Sequence, residues 1–328
     1  MNWCNITKTS QAKNQYKNEG TMAVNAEYTF WNTMSRMICR MRYERVLAIG
    51  RRLGPTVLQR LKKPRDRALS QMMTGLSLTR EEAEPILQQH FEHLGMTAVE
   101  VLYTPRLVAE REHLERYITI DHPERLHAAL AEQHGVVGLT AHVGNWEWLG
   151  AGLALAGFPT TTIAKRQPND AITALLNRFR TMAGLDVFHS GGSEIIGAAR
   201  AIKRKKILGF LADKDGDVNG VPVMFLNRVS SAVEGPAVFA RRFKSPIVPL
   251  FIRRREDLSG HVIHIGEPFY YEDTGDEQAD VDRLMQRCTR EIEDFILRYP
   301  PEWLWVQRRW WTEPEQMRRY QKADEAVR

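Results

Sequence analysis

The stretch of sequence that decides the fold is Gly135-Val-Val-Gly-Leu-Thr-Ala-His-Val-Gly-Asn-Trp-Glu147. Its first half is short, apolar and rich in β-branched residues, which predicts a buried strand over Val136–Thr140. The segment from Trp146 to Ala156 is rich in Leu and Ala and predicts a helix, with Asn145 as its N-cap. A buried strand that passes directly into a helix is the building unit of an α/β fold.

The chain after Gly135 repeats this alternation of short strands and helices. Further strands are predicted at Thr160–Ala164, Leu185–Phe188, Ile207–Leu211, Ile247–Arg253 and Val262–Ile265. Further helices are predicted at Asp170–Ala183, Ser193–Lys205, Ala232–Phe243 and Asp280–Leu297. This order predicts an α/β fold whose central sheet is largely parallel and covered by helices on both faces.

The chain before Gly135 is predicted to begin with helices. Thr79-Arg-Glu-Glu82 is a capping box, and apolar residues follow it at helical spacing. We expect a flexible tail over residues 1–22, a helical N-terminal extension over 23–110, a catalytic domain over 111–315 and a second tail over 316–328. Met22 opens the first stretch with helical character, so we expect translation to begin there; a native peptide containing any earlier residue would refute this.

The segment between Tyr28 and Leu61 mixes aromatic and aliphatic residues with many arginines. This composition is typical of a basic amphipathic segment that lies in a bilayer interface. A helix packed on the protein's own core would have a similar composition. No run of about 18 apolar residues occurs, so no membrane-spanning helix is expected.

His142 and Glu147 stand five positions apart across the predicted strand-to-helix turn. On one continuous helix they would point about 140° apart, but the turn at Gly144-Asn145 can fold the carboxylate back towards the imidazole. A histidine held by a carboxylate is the general-base arrangement of acyl transfer. A lone histidine after a strand is more often a capped or core residue, so this pair needs further support.

A second polar residue follows another predicted strand. Asp213 comes just after Ile207–Leu211, as His142 comes after Val136–Thr140. Ligands of open α/β sheets bind outside the carboxyl ends of the strands, so both residues are expected at one edge of the sheet. The long loop that follows, from Lys214 to Val229, is either a lid over a substrate or a plain connection.

Several motifs together resemble the bacterial acyltransferases that add secondary fatty chains late in lipid A biosynthesis. His142 and Glu147 fit the His-x-x-x-x-Asp/Glu pattern of the wider lysophospholipid and glycerolipid acyltransferase superfamily, and Ala141-His-Val-Gly-Asn-Trp-Glu147 is similar to the lipid A branch. Further blocks follow in the expected order: Arg166-Gln-Pro-Asn169 with Arg180 and Gly184, then Ala212-Asp-Lys-Asp-Gly216, Val248-Pro-Leu250 and Glu302-Trp-Leu-Trp-Val-Gln-Arg-Arg-Trp310. The resemblance covers roughly residues 25 to 315.

The resemblance implies a glycerolipid acyltransferase-like fold and adds Arg180, Asp213 and Arg166 to the site. An arginine suits phosphate or carboxylate recognition, although a surface salt bridge would explain either arginine. Asp213 would orient an arginine or a sugar hydroxyl, or cap a turn. Asn145 is a further candidate for substrate binding, and the N–H groups near it and Trp146 could stabilise an oxyanion.

The sequence also departs from the family pattern. Asp213-Lys-Asp215 stands where the lipid A enzymes usually carry Asp-Gln-Asp, and Phe225-Leu-Asn227 where an aromatic-Gly pair is expected. These changes leave the acceptor and the acyl chain length open.

Composition limits the classes of protein that remain. The chain of 328 residues is 43% hydrophobic and 26% charged, which is ordinary for a globular protein. Cys4, Cys39 and Cys288 lie far apart, so no disulfide framework, metal site or metal cofactor is expected. The net charge of +6 favours acidic partners, but charge alone does not choose among anionic lipids, an acyl carrier protein and nucleic acid.

We therefore expect an acyltransferase on the cytoplasmic face of the inner membrane, peripherally bound, using His142 as base and Glu147 to hold it. The donor would be an acyl carrier protein thioester or an acyl-CoA, the acceptor a hydroxyl of a lipid A precursor, and no nucleic acid is expected as a partner. One alternative keeps the chemistry with a lysophospholipid or another glycolipid as acceptor. An alternative of another class is a non-catalytic basic protein that binds membranes or nucleic acid, and a metal hydrolase is a third.

Overall fold

A computed structural model of the protein describes residues 26–164, 168–189 and 194–319. The helices are α1 (26–38), α2 (Tyr43–Leu58), α3 (Lys62–Gly75), α4 (Arg80–Ala109), α5 (Pro123–Ala131), α6 (Trp146–Leu155), α7 (Asp170–Met182), α8 (Glu194–Lys203), α9 (Gly235–Phe243) and α10 (Glu277–Arg298). The strands are β1 (Ile118–Asp121), β2 (Val136–Thr140), β3 (Thr160–Ala164), β4 (Asp186–His189), β5 (Ile207–Leu211), β6 (Val221–Phe225), β7 (Arg228–Ala232), β8 (Ile247–Arg254) and β9 (His261–Ile265). Short 3₁₀ helices cover Arg111–Arg116, Pro300–Glu302 and Pro314–Gln316.

Seven strands form the central sheet in the order β1-β9-β8-β2-β5-β3-β4. Every neighbouring pair is parallel except β8 and β9, which are antiparallel. The α/β fold with a largely parallel sheet and an N-terminal helical region is therefore confirmed. A carboxyl edge shared by parallel strands is where such sheets place their ligands.

Helices cover both faces of the sheet because successive residues of each central strand point to opposite sides. In β2, Val137 and Leu139 join one apolar cluster, while Val136 joins the other. In β5, Leu208 joins the first cluster and Ile207 the second. The first cluster includes residues of α3, α8, α9 and α10, and the second residues of α2, α5 and α6, so the sheet is buried on both sides.

The helical N-terminal region packs directly on this α/β body. The predicted capping box is present, since the Thr79 side chain accepts from the N–H of Glu82 and the Glu82 side chain accepts from the N–H of Thr79. Helix α4 contributes Phe91 to one apolar cluster and Met96 to the other. Helix α2 crosses α4 where Gly54 faces Gly95, and a methyl group on Gly95 would lie 2.1 Å from a backbone oxygen of α2.

Two of our predictions for residues 214–232 are wrong. The segment predicted as a loop forms the β-hairpin β6-β7, a two-stranded antiparallel sheet separate from the central sheet. The helix predicted to start at Ala232 starts at Gly235 instead, because Ala232 is the last residue of β7. A turn at Leu226 and Asn227, both with positive φ (46° and 62°), closes the hairpin.

Candidate active site

His142 and Asp213 meet at the carboxyl edge of the sheet. Strands β2 and β5 are parallel neighbours in which Thr140 pairs with Leu211. His142 and Asp213 each lie two positions beyond the end of their strand. Extending the pairing register of β2 and β5 therefore places them opposite each other. The distance between His142 Nδ1 and Asp213 Oδ1 is 2.7 Å, and the His142 N–H donates to Asp213 Oδ2 at 3.0 Å. The prediction that the two residues converge on one edge is confirmed.

Asp213 is buried and surrounded by donors. Besides His142, Trp303 Nε1 and Gln307 Nε2 donate to its Oδ2, at 2.8 and 2.9 Å. Burial opposes ionisation of the carboxyl, but the neighbouring His142 and these hydrogen bonds outweigh it and hold the Asp213 pKa well below its usual value. Asp213 is therefore a carboxylate at neutral pH, and it favours the proton on Nδ1 of His142, which leaves Nε2 as the basic nitrogen.

The end of the chain completes the surroundings of this pair. The N–H of Leu304 donates to the His142 carbonyl at 2.9 Å, and Val143 forms an isolated β-bridge with Trp303. Trp303 and Trp305 are fully buried. Trp311, in contrast, is exposed. Nothing in the sequence spacing identified Trp303 and Gln307 as partners of Asp213.

Glu147 does not hold His142 as we had predicted. Its two carboxylate oxygens accept from Arg180 Nη2 at 2.6 Å and from Arg180 Nε at 2.8 Å. Arg180 also donates from Nη1 to Asn177 Oδ1 at 3.1 Å. The physical reason is that Glu147 lies in the first turn of α6, opposite α7, while Asp213 occupies the position next to Nδ1. Glu147 and Arg180 thus form a half-buried bidentate ion pair of their own.

Asn145 is confirmed as the N-cap of α6, since its Oδ1 accepts from the N–H of Trp148 at 3.1 Å. Its amide Nδ2 donates to Glu100 Oε2 at 3.0 Å. The side chain is fully buried and both ends are engaged inside the protein. The Asn145 side chain therefore positions the turn after His142, and substrate binding at Asn145 stays a prediction.

Glu100 is the centre of a buried polar network beneath this turn. Tyr43 donates to it at 2.6 Å, Arg254 binds both of its oxygens, and His261 Nε2 lies 3.0 Å from Oε1. Although burial opposes its ionisation, the charges of Arg254 and His261 hold the Glu100 pKa well below its usual value. Through Asn145, this network fixes the start of α6 to α4 and β8.

The remaining predicted site residue, Arg166, lies outside the described residues. The described part of the chain contains no group of three His, Cys, Asp or Glu side chains placed to hold a metal ion. His90 is buried, with Nδ1 3.0 Å from the Pro301 carbonyl oxygen. Within the same described ranges, no helix is both long and apolar enough to cross a bilayer.

Two cavities lie close to the His142–Asp213 pair and are lined by neighbours of the pair rather than by the two residues themselves. The first lies between α6 and the sheet; Trp146, Glu147 and Arg180 line one part of it, and glycines, aliphatic residues and threonines line the rest. The Trp146 ring contacts the His142 ring, with centroids 5.2 Å apart. The second cavity is open and polar, and it is lined by Lys214, Asp215, Asp217, Gln307, Arg308 and Trp311. It reaches the pair through Gln307, the hydrogen-bond partner of Asp213.

An imidazole oriented by a buried carboxylate, at the carboxyl edge of an α/β sheet and next to an apolar cavity, can activate a hydroxyl for attack on an acyl group. This arrangement fits the class of acyltransferases. Over residues 17–312 the chain matches the family described as bacterial lipid A biosynthesis acyltransferase, and it belongs to that family.

Two curated relatives are similar to this chain. One is the lipid A biosynthesis palmitoleoyltransferase of Escherichia coli (strain K12), 23% identical over 237 residues that cover 71% of this chain and 74% of the relative. The other is the lipid A biosynthesis acyltransferase of Shigella flexneri, with the same identity and coverage. Membership of the family means that the protein is an acyltransferase of lipid A biosynthesis.

Proposed function

We propose that the protein transfers a fatty acyl chain from a thioester of acyl carrier protein or coenzyme A to a hydroxyl of a lipid A precursor. The observation that carries this proposal is the His142–Asp213 hydrogen bond of 2.7 Å beside the apolar cavity under α6. The proposal also rests on the family to which the chain belongs.

In this mechanism Nε2 of His142 takes the proton of the acceptor hydroxyl while the hydroxyl oxygen attacks the thioester carbonyl carbon. The tetrahedral intermediate then collapses, the carbon–sulfur bond breaks, and the thiolate takes the proton back from Nε2. Asp213 stabilises the imidazolium that exists between the two steps. A positioned general base of this kind contributes about 10²- to 10⁴-fold to the rate. No nucleophilic side chain is required.

Glu147 has a different role in this proposal from the one that the sequence suggested, whereas Arg180 keeps its role of binding an anionic group. A guanidinium has five N–H donors, and Glu147 and Asn177 engage three of those of Arg180 within the described ranges. Arg180 and Glu147 both line the cavity under α6. We assign Arg180 to the oxyanion or to an anionic group of a substrate, and Glu147 to holding the guanidinium in place.

Thr140 is a further candidate for contact with the reacting carbonyl. It lies two residues before His142, lines the cavity and is buried, and its hydroxyl has no partner among the described residues. A buried hydroxyl without a partner is costly, so a ligand or water at this position would be stabilised by it.

We also propose that the protein binds peripherally to the cytoplasmic face of the inner membrane through α1 and α2. Ile49, Leu53 and Val57 follow one another at the four-residue spacing of a single helix face, and all three are exposed. Phe30 and Met37 on α1 are exposed too. Arginines at 45 and 52 lie close in sequence on α2 and would attract anionic head groups.

Membrane binding can be tested by co-sedimentation with vesicles of neutral or anionic phospholipid. Leu53→Asp is expected to weaken binding to both, because it places a charge in the apolar face. Met224→Asp is a matched control, since Met224 is equally exposed but lies on the hairpin β6-β7. Equal binding of Leu53→Asp and the unaltered protein would contradict this assignment.

The catalytic proposal is tested by incubating the purified protein with acyl-carrier-protein and acyl-CoA donors and with lipid A precursors or lysophospholipids as acceptors. Product masses identify which donor and which acceptor react. We expect acylated glycolipid, and its loss in a folded His142→Ala variant. Acylation of lysophospholipid alone would assign the acceptor differently, and no transfer from either donor would refute the proposal.

A further inference from the structure

The cavity under α6 is open because three glycines line it. Gly138 of β2 and Gly209 of β5 are paired across the sheet, and Gly150 lies on the helix above them. None of these residues has a side chain to fill the space between helix and sheet. A methyl group on Gly150 would lie 2.8 Å from Leu185 Cδ2, so the helix and the cavity wall are close together at this point.

The cavity has a depth that the register of the strands defines. Thr140 and Leu211 form the row at the strand ends, next to His142. The glycine row lies two residues deeper, about 7 Å at the usual rise of a strand. Ile207 and Thr160 form the next row inward, again about 7 Å deeper.

The walls of the cavity are mainly apolar. Leucines at 149, 153, 185, 211 and 250 line it, together with Ile207. At the deep end, the hydroxyl of Thr160 donates to the Phe158 carbonyl oxygen at 3.1 Å. The cavity has a volume of about 70 Å³, so an acyl chain would need some of these leucine side chains to change rotamer. In so narrow a space, single methyl groups decide what fits.

We infer that Gly138 and Gly209 determine the length of the acyl chain that this cavity accepts. The inference rests on the proposed function and deepens it. The thioester carbon would lie at the mouth beside His142, and the tail would run under α6, across the glycine row, towards Ile207. A side chain in the glycine row would narrow the cavity about 7 Å below the mouth, and the loss would be larger for tails that run further past it.

Gly209 is the position at which this can be tested without damage to the fold. A methyl group there would come no closer to its surroundings than 3.7 Å, to the Thr161 carbonyl oxygen, which is ordinary contact. A methyl group on Gly138 would approach Leu250 Cδ1 to 2.9 Å, so that glycine is the poorer choice. Alanine and valine also suit a strand better than glycine does, so folding is not expected to suffer.

The experiment measures kcat/KM of the unaltered protein, Gly209→Ala and Gly209→Val with a series of saturated acyl thioesters differing by two carbons. A methylene in an apolar pocket is worth about 10- to 200-fold in discrimination. We expect Gly209→Ala to lower the ratio of kcat/KM for the longest donor that the unaltered protein uses well to kcat/KM for the next shorter donor by about 10-fold or more. Gly209→Val is expected to shift the preference further towards shorter donors.

Leu208→Val provides a control on the same strand, because Leu208 points to the opposite face of the sheet and does not line the cavity. It is expected to leave the donor preference unchanged. Thermal unfolding establishes that each variant is folded. Gly209 variants that are folded and active with an unchanged chain preference would overturn the inference while leaving the proposed function intact. Absence of acyl transfer by the unaltered protein would remove both.

Discussion

The Nδ1 atom of His142 lies 2.7 Å from Oδ1 of Asp213, a residue 71 positions further along the chain. The two come together because β2 and β5 are adjacent parallel strands that end in register. The imidazole is thus held by a carboxylate from another strand, rather than by the acid five residues away that shares its sequence motif.

Asp213→Asn is expected to lower kcat by about 10²- to 10⁴-fold, the usual size of a general-base contribution. An amide cannot stabilise the imidazolium, and its NH₂ group can favour the wrong tautomer of His142. Asp217→Asn is a matched control, because Asp217 is exposed on the same loop and its positive φ of 62° is tolerated by Asn. Near-normal turnover in a folded Asp213→Asn variant would contradict the role of Asp213.

Glu147 and Arg180 are expected to act as one unit. Arg180→Lys removes the two-point contact with Glu147, and a shift of the cationic group by about 1 Å can cost about 10²-fold in rate. If the two residues act together, the loss of rate in Glu147→Gln combined with Arg180→Lys should be little larger than the loss in either single variant. A kinetic double-mutant cycle measures this. Fully additive losses would show that the residues work separately.

Glu100→Gln is expected to destabilise the protein by about 3–5 kcal/mol, because it leaves the Arg254 guanidinium buried without its counter-charge. Urea denaturation followed by circular dichroism measures the change. Glu84→Gln on the same helix is the control, since Glu84 forms an exposed pair with Arg80 and such pairs contribute about 0.3–0.5 kcal/mol. A small loss in Glu100→Gln would mean that the network tolerates a neutral partner.

His90 is expected to make the protein less stable as the solution becomes acidic. Burial, helped by the nearby His93, lowers its pKa to about 4 against the raising effect of the hydrogen bond to the Pro301 carbonyl. An unfolded chain has a histidine pKa of about 6.5 and so binds the proton first as the pH falls. Stability is therefore complete above about pH 6.5 and decreases towards pH 4, by up to about 3 kcal/mol.

His90→Asn keeps a donor for the Pro301 carbonyl but has no group that titrates in this range. Its unfolding free energy is expected to change less between pH 6.5 and 4 than that of the unaltered protein. Parallel pH-dependent slopes in the two proteins would assign the acid sensitivity to other groups.

The strands of the central sheet were largely predictable because a buried parallel strand is a short apolar run between turn residues. Val136–Thr140, Thr160–Ala164 and Ile207–Leu211 occur with the predicted ends. Strand β6 was missed because Pro222 weakens a strand pattern and is tolerated only where its neighbour does not need the N–H. The predicted start of α9 was wrong because Ala232 reads as a helix former but pairs with Val221 in the hairpin.

The site was predictable in its parts but not in its pairing. His142 and Asp213 could both be placed at strand ends, yet their contact depends on β2 lying next to β5, and strand order is not readable from one sequence. The same holds for Glu100, whose partners Tyr43, Arg254 and His261 come from segments far apart in the chain. Local spacing instead favoured the nearest acid, Glu147, which binds Arg180.

Trp303 and Gln307 donate to Asp213 from near the end of the sequence. During synthesis on the ribosome, His142 and Asp213 emerge long before these two donors do. A nascent chain that still lacks Trp303 and Gln307 therefore has an Asp213 without two of its hydrogen-bond donors. Proteolysis that removed residues 303–307 would expose Asp213 and would remove the Leu304 N–H that donates to the His142 carbonyl.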